Sequence, residues 1–353
     1  DVYKRQLPCT VSLSTIPLAR IHGPHDIRLD SIAMPTPGPT DVLVRVMRCG
    51  ICGSDLSYAK IGGIPGAASP FAIGHEFSGV VEATGSDVSL VKAGDRVVVN
   101  PERGGNGIGS NGERGAFAPY VLYRNAVAHP DGLLDLPDGL GFEQGALVEP
   151  LSVGLHAVRQ GNIADGDRVA VMGAGPIGLS AALCARQAGA ADVTVIDVSK
   201  KRLEAAAGLG FATICNASAN LAETLRDLHG TVTLDPLLGS QPATDVFIEA
   251  TGAGPVFEQL LSTARKGATV VVVGVHFEPV SLDMLNFLIR ELKLVSACAY
   301  ADEFPDVIAM LASGELDVMP MISHHYPLSR FDHAFAIAGQ PDTAVKVMID
   351  CQA

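Results

Sequence analysis

From Val11 to about Tyr123 the chain falls into short β-type runs, DVLVRVM, FSGVVEATG, DRVVVNP and FAPYVLY, separated by stretches such as PTPGPTD and KAGD. β-branched runs between glycine, proline and aspartate clusters predict strands joined by tight turns, here a twisted antiparallel β domain. At Asp167 the pattern changes. Apolar strands (RVAVM, DVTVID, ATIC, DVFIEATG, ATVVVVGV) now alternate with helical stretches (PIGLSAALCARQAG, SKKRLEAAAGLG), which predicts a parallel sheet covered by helices on both faces. After KLVSACAY the alternation stops. EFPDVIAMLASGEL and YPLSRFDHAFAIAG read as helices and AVKVMID as a last strand, a tail expected to return to the first domain. Arg103 to Gly115, RGGNGIGSNGERG, is rich in glycine and poor in apolar residues, so it is expected to be a surface loop.

A length of 353 residues favours two domains. The net charge of -13, with no basic cluster beyond Lys200-Lys201-Arg202, argues against nucleic acid. The apolar runs are too short to span a bilayer, and the N-terminus lacks an apolar core followed by a cleavage site. The expectation is a cytoplasmic protein without a membrane partner. Seven scattered cysteines, an odd number, suggest reduced thiols rather than a disulfide framework. The opening DVYKRQ does not blend into VSLSTIPLARI and is assigned no role.

Strand RVAVM leads directly into Gly173-Ala174-Gly175-Pro176-Ile177-Gly178 and a helical pattern. In a G-x-G-x-x-G turn the first glycine allows the bend, the second lets backbone approach a pyrophosphate, and the third lets helix pack on strand. Asp197 ends the next strand, where a carboxylate accepts hydrogen bonds from ribose hydroxyls and repels a 2'-phosphate. NAD is therefore expected over NADP. The later strand ends IEATG and VVVGV are expected along the same sheet edge, near the nicotinamide.

GICGSD places Cys52 three residues after Cys49, a spacing shared by redox pairs, zinc half-sites and buried thiols. Gly74-His75-Glu76 and Glu149-Pro150 follow. Thiolate, imidazole and carboxylate are ligand types of catalytic zinc, which keeps one position open. With these motifs in this order, together with AGDRVVV, VEPLSVGLHAV and IEATG, the sequence resembles the zinc-dependent medium-chain dehydrogenases, in the branch of sorbitol, butanediol, idonate and threonine dehydrogenases.

The resemblance implies an α/β protein. A GroES-like antiparallel β catalytic domain would comprise residues 1-152 and 299-353, and a Rossmann doubly wound parallel-sheet domain residues 153-298. It implies one zinc held by Cys52, His75 and either Glu76 or Glu149, leaving Cys49 a buried thiol. Ser54 corresponds to the hydroxyl that accepts the alcohol proton. Tyr58, Phe117 and Tyr300 would line the alcohol pocket beside Glu149. Cofactor contacts are expected from Gly173, Gly175, Pro176, Ile177, Gly178, Asp197, Arg202, Thr251, Val273 and Val275. The implied reaction is NAD-dependent oxidation of a small secondary alcohol, diol or polyol, zinc lowering the hydroxyl pKa before hydride transfer. A homodimer or homotetramer is expected, with KLVSACAY as an edge strand open to pairing.

Three departures bear on this reading. NPERGGNGIGSNGERGAFAPY contains no cysteine, so the structural zinc of the family's four-cysteine lobe is not expected. Ser57 stands where a relay histidine is often found, and Ala299 where sorbitol-type enzymes carry an arginine. The alternatives are a threonine or aldonate dehydrogenase, a zinc-free reductase of the same fold, and an inactive dinucleotide-binding protein. Together Cys52, Ser54, His75, Glu76 and Glu149 argue against the last two. His22, His25, His156, His324 and His325 are given no catalytic part.

Overall fold

The computed structural model describes residues 15-353, so the reading of the first six residues and Cys9 lie outside them. Strands β1 (Thr15–Gly23) and β2 (Asp26–Ala33) pair as a hairpin, followed by β3 (Val42–Gly50), helix α1 (Gly53–Ile61), β4 (Phe71–Ala72), β5 (Glu76–Thr84), β6 (Arg96–Val99), β7 (Tyr120–Tyr123) and β8 (Leu133–Asp135). Helix α2 (Phe142–Gln160) packs on both β5 and the first helix of the parallel sheet. It runs unbroken through residues 152 and 153 and carries Pro150 in its interior. Glu149-Pro150, a pair common in turns, is thus helical here, and the proline costs the helix one backbone hydrogen bond.

The second half supplies β9 (Arg168–Met172), α3 (Pro176–Gln187), β10 (Asp192–Asp197), α4 (Lys200–Gly208), β11 (Ala212–Cys215) and α5 (Leu221–His229). A small hairpin of β12 (Thr231–Val232) and β13 (Gln241–Pro242) precedes β14 (Val246–Glu249), α6 (Gly254–Thr263), β15 (Thr269–Val272), α7 (Met284–Arg290) and β16 (Lys293–Ser296). The strand order β11-β10-β9-β14-β15-β16 is parallel throughout. Chain order reverses between β9 and β14, the crevice where such sheets bind ligands.

The tail forms α8 (Phe304–Ala312), β17 (Ile322–Pro327), α9 (Phe331–Ala338) and β18 (Lys346–Asp350). β18 pairs antiparallel with β3, so the last strand joins the sheet of the first half, in the order β17-β18-β3-β5-β6-β8. Two expectations are corrected. YPLSRF is not helical from its start: ISHHYP is a strand parallel to β18, Leu328–Arg330 forms one 3-10 turn, and the α-helix begins at Phe331. β18 offers Ile322–Pro327 a parallel ladder, and Pro327 caps the turn that follows it. Residues 103-115 are not a surface loop. Asn106 and Ile108 are buried, and the segment lies against Ala68–His75 through Ala72 N donating to Gly112 O (3.0 Å) and Ala116 N to Gly74 O (2.9 Å). Its glycines permit close backbone contact rather than mobility.

Candidate metal and dinucleotide site

The end of β3, the start of α1 and the start of β5 meet at one point, because Gly50 pairs with Glu76 at the edge of their ladder. Cys52 is the N-cap of α1, and its N–H donates to Asp55 Oδ2 at 2.9 Å. Asp55 is wholly buried; its Oδ1 accepts from Gly74 N (3.3 Å) and lies 3.6 Å from His75 Nδ1. One carboxylate thus orients both the thiol-bearing turn and the imidazole. The ligand atoms of Cys52, His75 and Glu76 all lie within 4.8 Å of one another. Ser54 Oγ is 3.4 Å from His75 Nε2.

Glu76 is fully buried, and both its oxygens accept from Lys346 Nζ, at 2.7 and 2.5 Å. The same ammonium donates to Ile51 O at 3.0 Å. Burial works against this cation, but Glu76, Cys52 and Glu149 together outweigh it and raise the lysine pKa. Burial likewise opposes an imidazolium at His75, yet the negative groups Asp55 and Cys52 hold its pKa well above the ordinary value. Burial raises Glu149 to about 7. It also drives the Tyr300 phenol well above its usual range, with the negative charge of nearby Glu149 adding to the effect. A cluster of thiol, imidazole and carboxylate ligand atoms within 4.8 Å of one another, with Asp55 behind the imidazole, suits a divalent cation. Thiolate, imidazole and carboxylate match zinc.

Glu149 lies outside the three-residue cluster, on α2. Cys49 is buried on β3 and also outside it; burial pushes its thiol pKa well up. Tyr58 packs edge-on against Phe71 and Tyr300 against Phe304. Phe117 is fully buried, with its ring 4.9 Å from that of Phe331. There it supports Gly74 from beneath, since a Cβ on Gly74 would meet its ring and amide. His156 binds Glu303 at 2.9 Å, His22 binds Asp30, and His324 stacks on Tyr326.

Gly173 ends β9 at φ +107°, and a Cβ on Gly178 would overlap the Gly173 carbonyl, so this turn closes only with glycine at both positions. Gly175 is the N-cap of α3, with Pro176 opening the helix and Ile177 in its first turn. A Cβ on Gly175 would meet only the Arg202 guanidinium, and Arg202 Nε is buried without a partner. An open helix N-terminus facing an unpaired cation is a cradle for a pyrophosphate. Asp197 Oδ2 accepts from Ala174 N (2.7 Å), and Oδ1 from Val198 N (2.7 Å) and Ser199 N (2.8 Å), so this carboxylate shapes the turn as well as facing it. Thr251 follows β14, with its methyl group near Gly173, while Val273 is half-buried and Val275 exposed after β15.

Residues 38–138 match the alcohol dehydrogenase GroES-like domain, and residues 176–313 the zinc-binding dehydrogenase domain. Sorbitol dehydrogenase of Macaca fascicularis is 37% identical over 347 residues, covering 94% of each chain. The chain belongs to the zinc-dependent medium-chain dehydrogenases. Among solved structures, this dehydrogenase is similar to 2R,3R-butanediol dehydrogenase from Bacillus subtilis (29% identity, 95% and 99% of the two chains, TM-score 0.83). It is also similar to a putative zinc-binding dehydrogenase from Sinorhizobium meliloti 1021 bound to NADP (28%, 96% and 100%, 0.81).

Sequence reasoning about this dehydrogenase missed Lys346 and Asp55. Lys346 had a signal, a charge between apolar neighbours in the run AVKVMI, since a lysine buried in a central strand needs a partner. Asp55 stood in GICGSD, but its place at N3 of a helix capped by Cys52 became visible only when α1 was seen to begin at Gly53.

Proposed function

We propose that this dehydrogenase oxidises a secondary alcohol of the diol or polyol class to the ketone, using NAD and one zinc held by Cys52, His75 and Glu76. The observation that carries the reading is the convergence of those three ligand atoms within 4.8 Å, backed by Asp55 and Lys346. When bound, zinc supplies Lewis acidity toward the substrate oxygen and NAD takes up the hydride. Asp55 fixes the His75 ring, and Lys346 anchors Glu76 so that its carboxylate is held without a second protein cation. The Ser54 hydroxyl, beside His75 Nε2, is placed to receive the substrate proton and pass it outward. Glu149, raised to about 7, can hold or release a proton near neutrality, and Tyr300 nearby offers a hydroxyl to a neighbouring substrate hydroxyl. Tyr58 adds a half-buried aromatic wall.

The substrate class rests on the likeness to sorbitol and butanediol dehydrogenases. NAD is preferred because Asp197 would oppose a 2'-phosphate, although the Sinorhizobium relative was solved with NADP. Exposed Met284, Leu285 and Leu288 on α7, beside edge strand β16, support a homo-oligomer. Six unpaired cysteines among the described residues, and no described helix long and apolar enough to cross a membrane, support the cytoplasm. The test is a screen of purified protein with NAD and zinc against polyols, 2,3-diols, aldonates and threonine, following absorbance of the reduced cofactor. Turnover of aldonates or threonine alone would redirect the substrate class, and no turnover at all would refute the enzymatic reading.

A further inference from the structure

We propose that the glycine-rich segment 103-116, locked by Arg114 on Asn106, is the device that positions the metal ligand His75; the proposal rests on the zinc site described above. His75 belongs to a short irregular strip, Ile73 to His75, between β4 and β5. Much of this strip's backbone bonding comes from the segment or the residue that follows it. Gly74 O accepts from Ala116 N (2.9 Å) and Ile73 O from Phe117 N (3.5 Å), while just upstream Ala72 N donates to Gly112 O (3.0 Å) and Ala68 N to Asn111 O (3.3 Å). The approach is too close for side chains. A Cβ on Gly109 would collide with the Gly74 carbonyl, and one on Gly115 with the Ile73 carbonyl. The position of the residue before His75 is therefore set by where this segment lies.

The segment is in turn held by a polar core. Arg114 donates through Nη1 to Asn106 Oδ1 (2.7 Å) and Leu122 O (3.0 Å), and through Nη2 to Asn106 O (2.6 Å). Asn106 is buried; its Nδ2 donates to Arg103 O and Arg124 O (3.0 Å each), and its Oδ1 also accepts from Arg124 N (2.9 Å). Asn111 Nδ2 adds a bond to Asn106 O at 3.1 Å. The guanidinium thus cross-links the segment to the β7 end through uncharged oxygens, while neighbouring Glu113 pairs outward with Arg124. A planar fork of donors does this where a single ammonium cannot. Metal ligands need placement to roughly 0.5 Å, and loss of groups that orient them typically weakens metal affinity about 10–100-fold. Arg114 and Asn106 are accordingly positioning residues for the zinc site.

The experiment measures zinc affinity by chelator competition and NADH affinity by cofactor fluorescence, well below the melting temperature, on the parent and on Arg114→Ala, Gly109→Ala and Glu113→Ala. The expected result is zinc affinity lower by about 10–100-fold in Arg114→Ala and Gly109→Ala, with NADH affinity and far-UV circular dichroism unchanged. Glu113→Ala should match the parent. Added zinc should restore the kcat of Arg114→Ala, a rescue that a purely stabilising segment would not produce. Should Arg114→Ala not fold, Arg114→Lys, which keeps the charge and loses the fork, decides by the same measure. Folded variants that hold zinc within about twofold of the parent would overturn the positioning role and leave the metal reading standing. A parent that binds no zinc would overturn both.

Discussion

Replacing Lys346 by methionine keeps most of the side-chain volume in β18 and removes the ammonium that contacts both oxygens of buried Glu76. Without metal, Glu76 is then left as an uncompensated charge beside Cys52, and Ile51 O loses a donor. Breaking one side of a buried ion pair costs about 3–5 kcal/mol. With a urea slope of about 3 kcal/mol per molar, the midpoint of the zinc-free variant should fall by about 1–2 M. The chain has no tryptophan, so unfolding is best followed by far-UV circular dichroism. Zinc should narrow the gap, because a second cation then faces Glu76. The double variant Glu76→Gln/Lys346→Met should recover much of the loss, since no orphaned charge remains. A zinc-free Lys346→Met protein whose midpoint stays within about 0.3 M of the parent would refute the argument, as would a double variant no better than the single one.

The buried His229, held between Thr194 Oγ1 (2.8 Å) and Thr244 Oγ1 (2.9 Å), has its pKa lowered by burial from 6.5 to about 4. The unfolded chain binds the extra proton in that window, so stability should fall as pH drops from about 6.5 to 4, by up to roughly 3 kcal/mol; His229→Gln should flatten this limb of the stability-pH curve, and an unchanged limb would exclude the assignment. Asp197→Ala should raise the KM for NAD and shift the ratio of kcat/KM toward NADP, but only modestly, because the fingerprint turn also loses the bond to Ala174 N; an unchanged ratio would remove Asp197 from cofactor choice. Cys52→Ser should lose zinc and activity while keeping NADH binding, whereas Cys49→Ser should retain zinc and lose about 1–2 kcal/mol as a polar substitution in the core. Equal zinc loss in both would show joint ligation.

What could be read from the chain depended on how local the determining contacts are. The dinucleotide turn was legible because strand, glycines, helix and Asp197 fall within one βαβ unit, each visible through its own periodicity. Cys52, His75 and Glu76 were legible only through the resemblance, since nothing local says that the ends of β3 and β5 share one ladder edge. Lys346 showed itself as a charge in an apolar run, but its partner was out of reach for the same reason, lying 270 residues away in sequence. Glycine content misled at 103-115: the same composition serves an exposed flexible loop and a backbone packed against another backbone, and only the neighbouring strip tells them apart. ISHHYP carried too mixed a pattern to reveal a strand paired in parallel with β18.

Because β18 sits between β17 and β3, the first sheet stays incomplete until residues 346–350 have been made. About 300 residues separate Cys52 from Lys346. At cellular translation rates of about 5–20 residues per second, that interval lasts roughly 15–60 s. The parallel sheet, a continuous stretch of sequence, has time to form while the metal-binding half waits with its thiols unprotected. The ammonium that holds Glu76 therefore arrives long after Cys52, His75 and Glu76 themselves, and loss of β18 would be felt at that distant carboxylate.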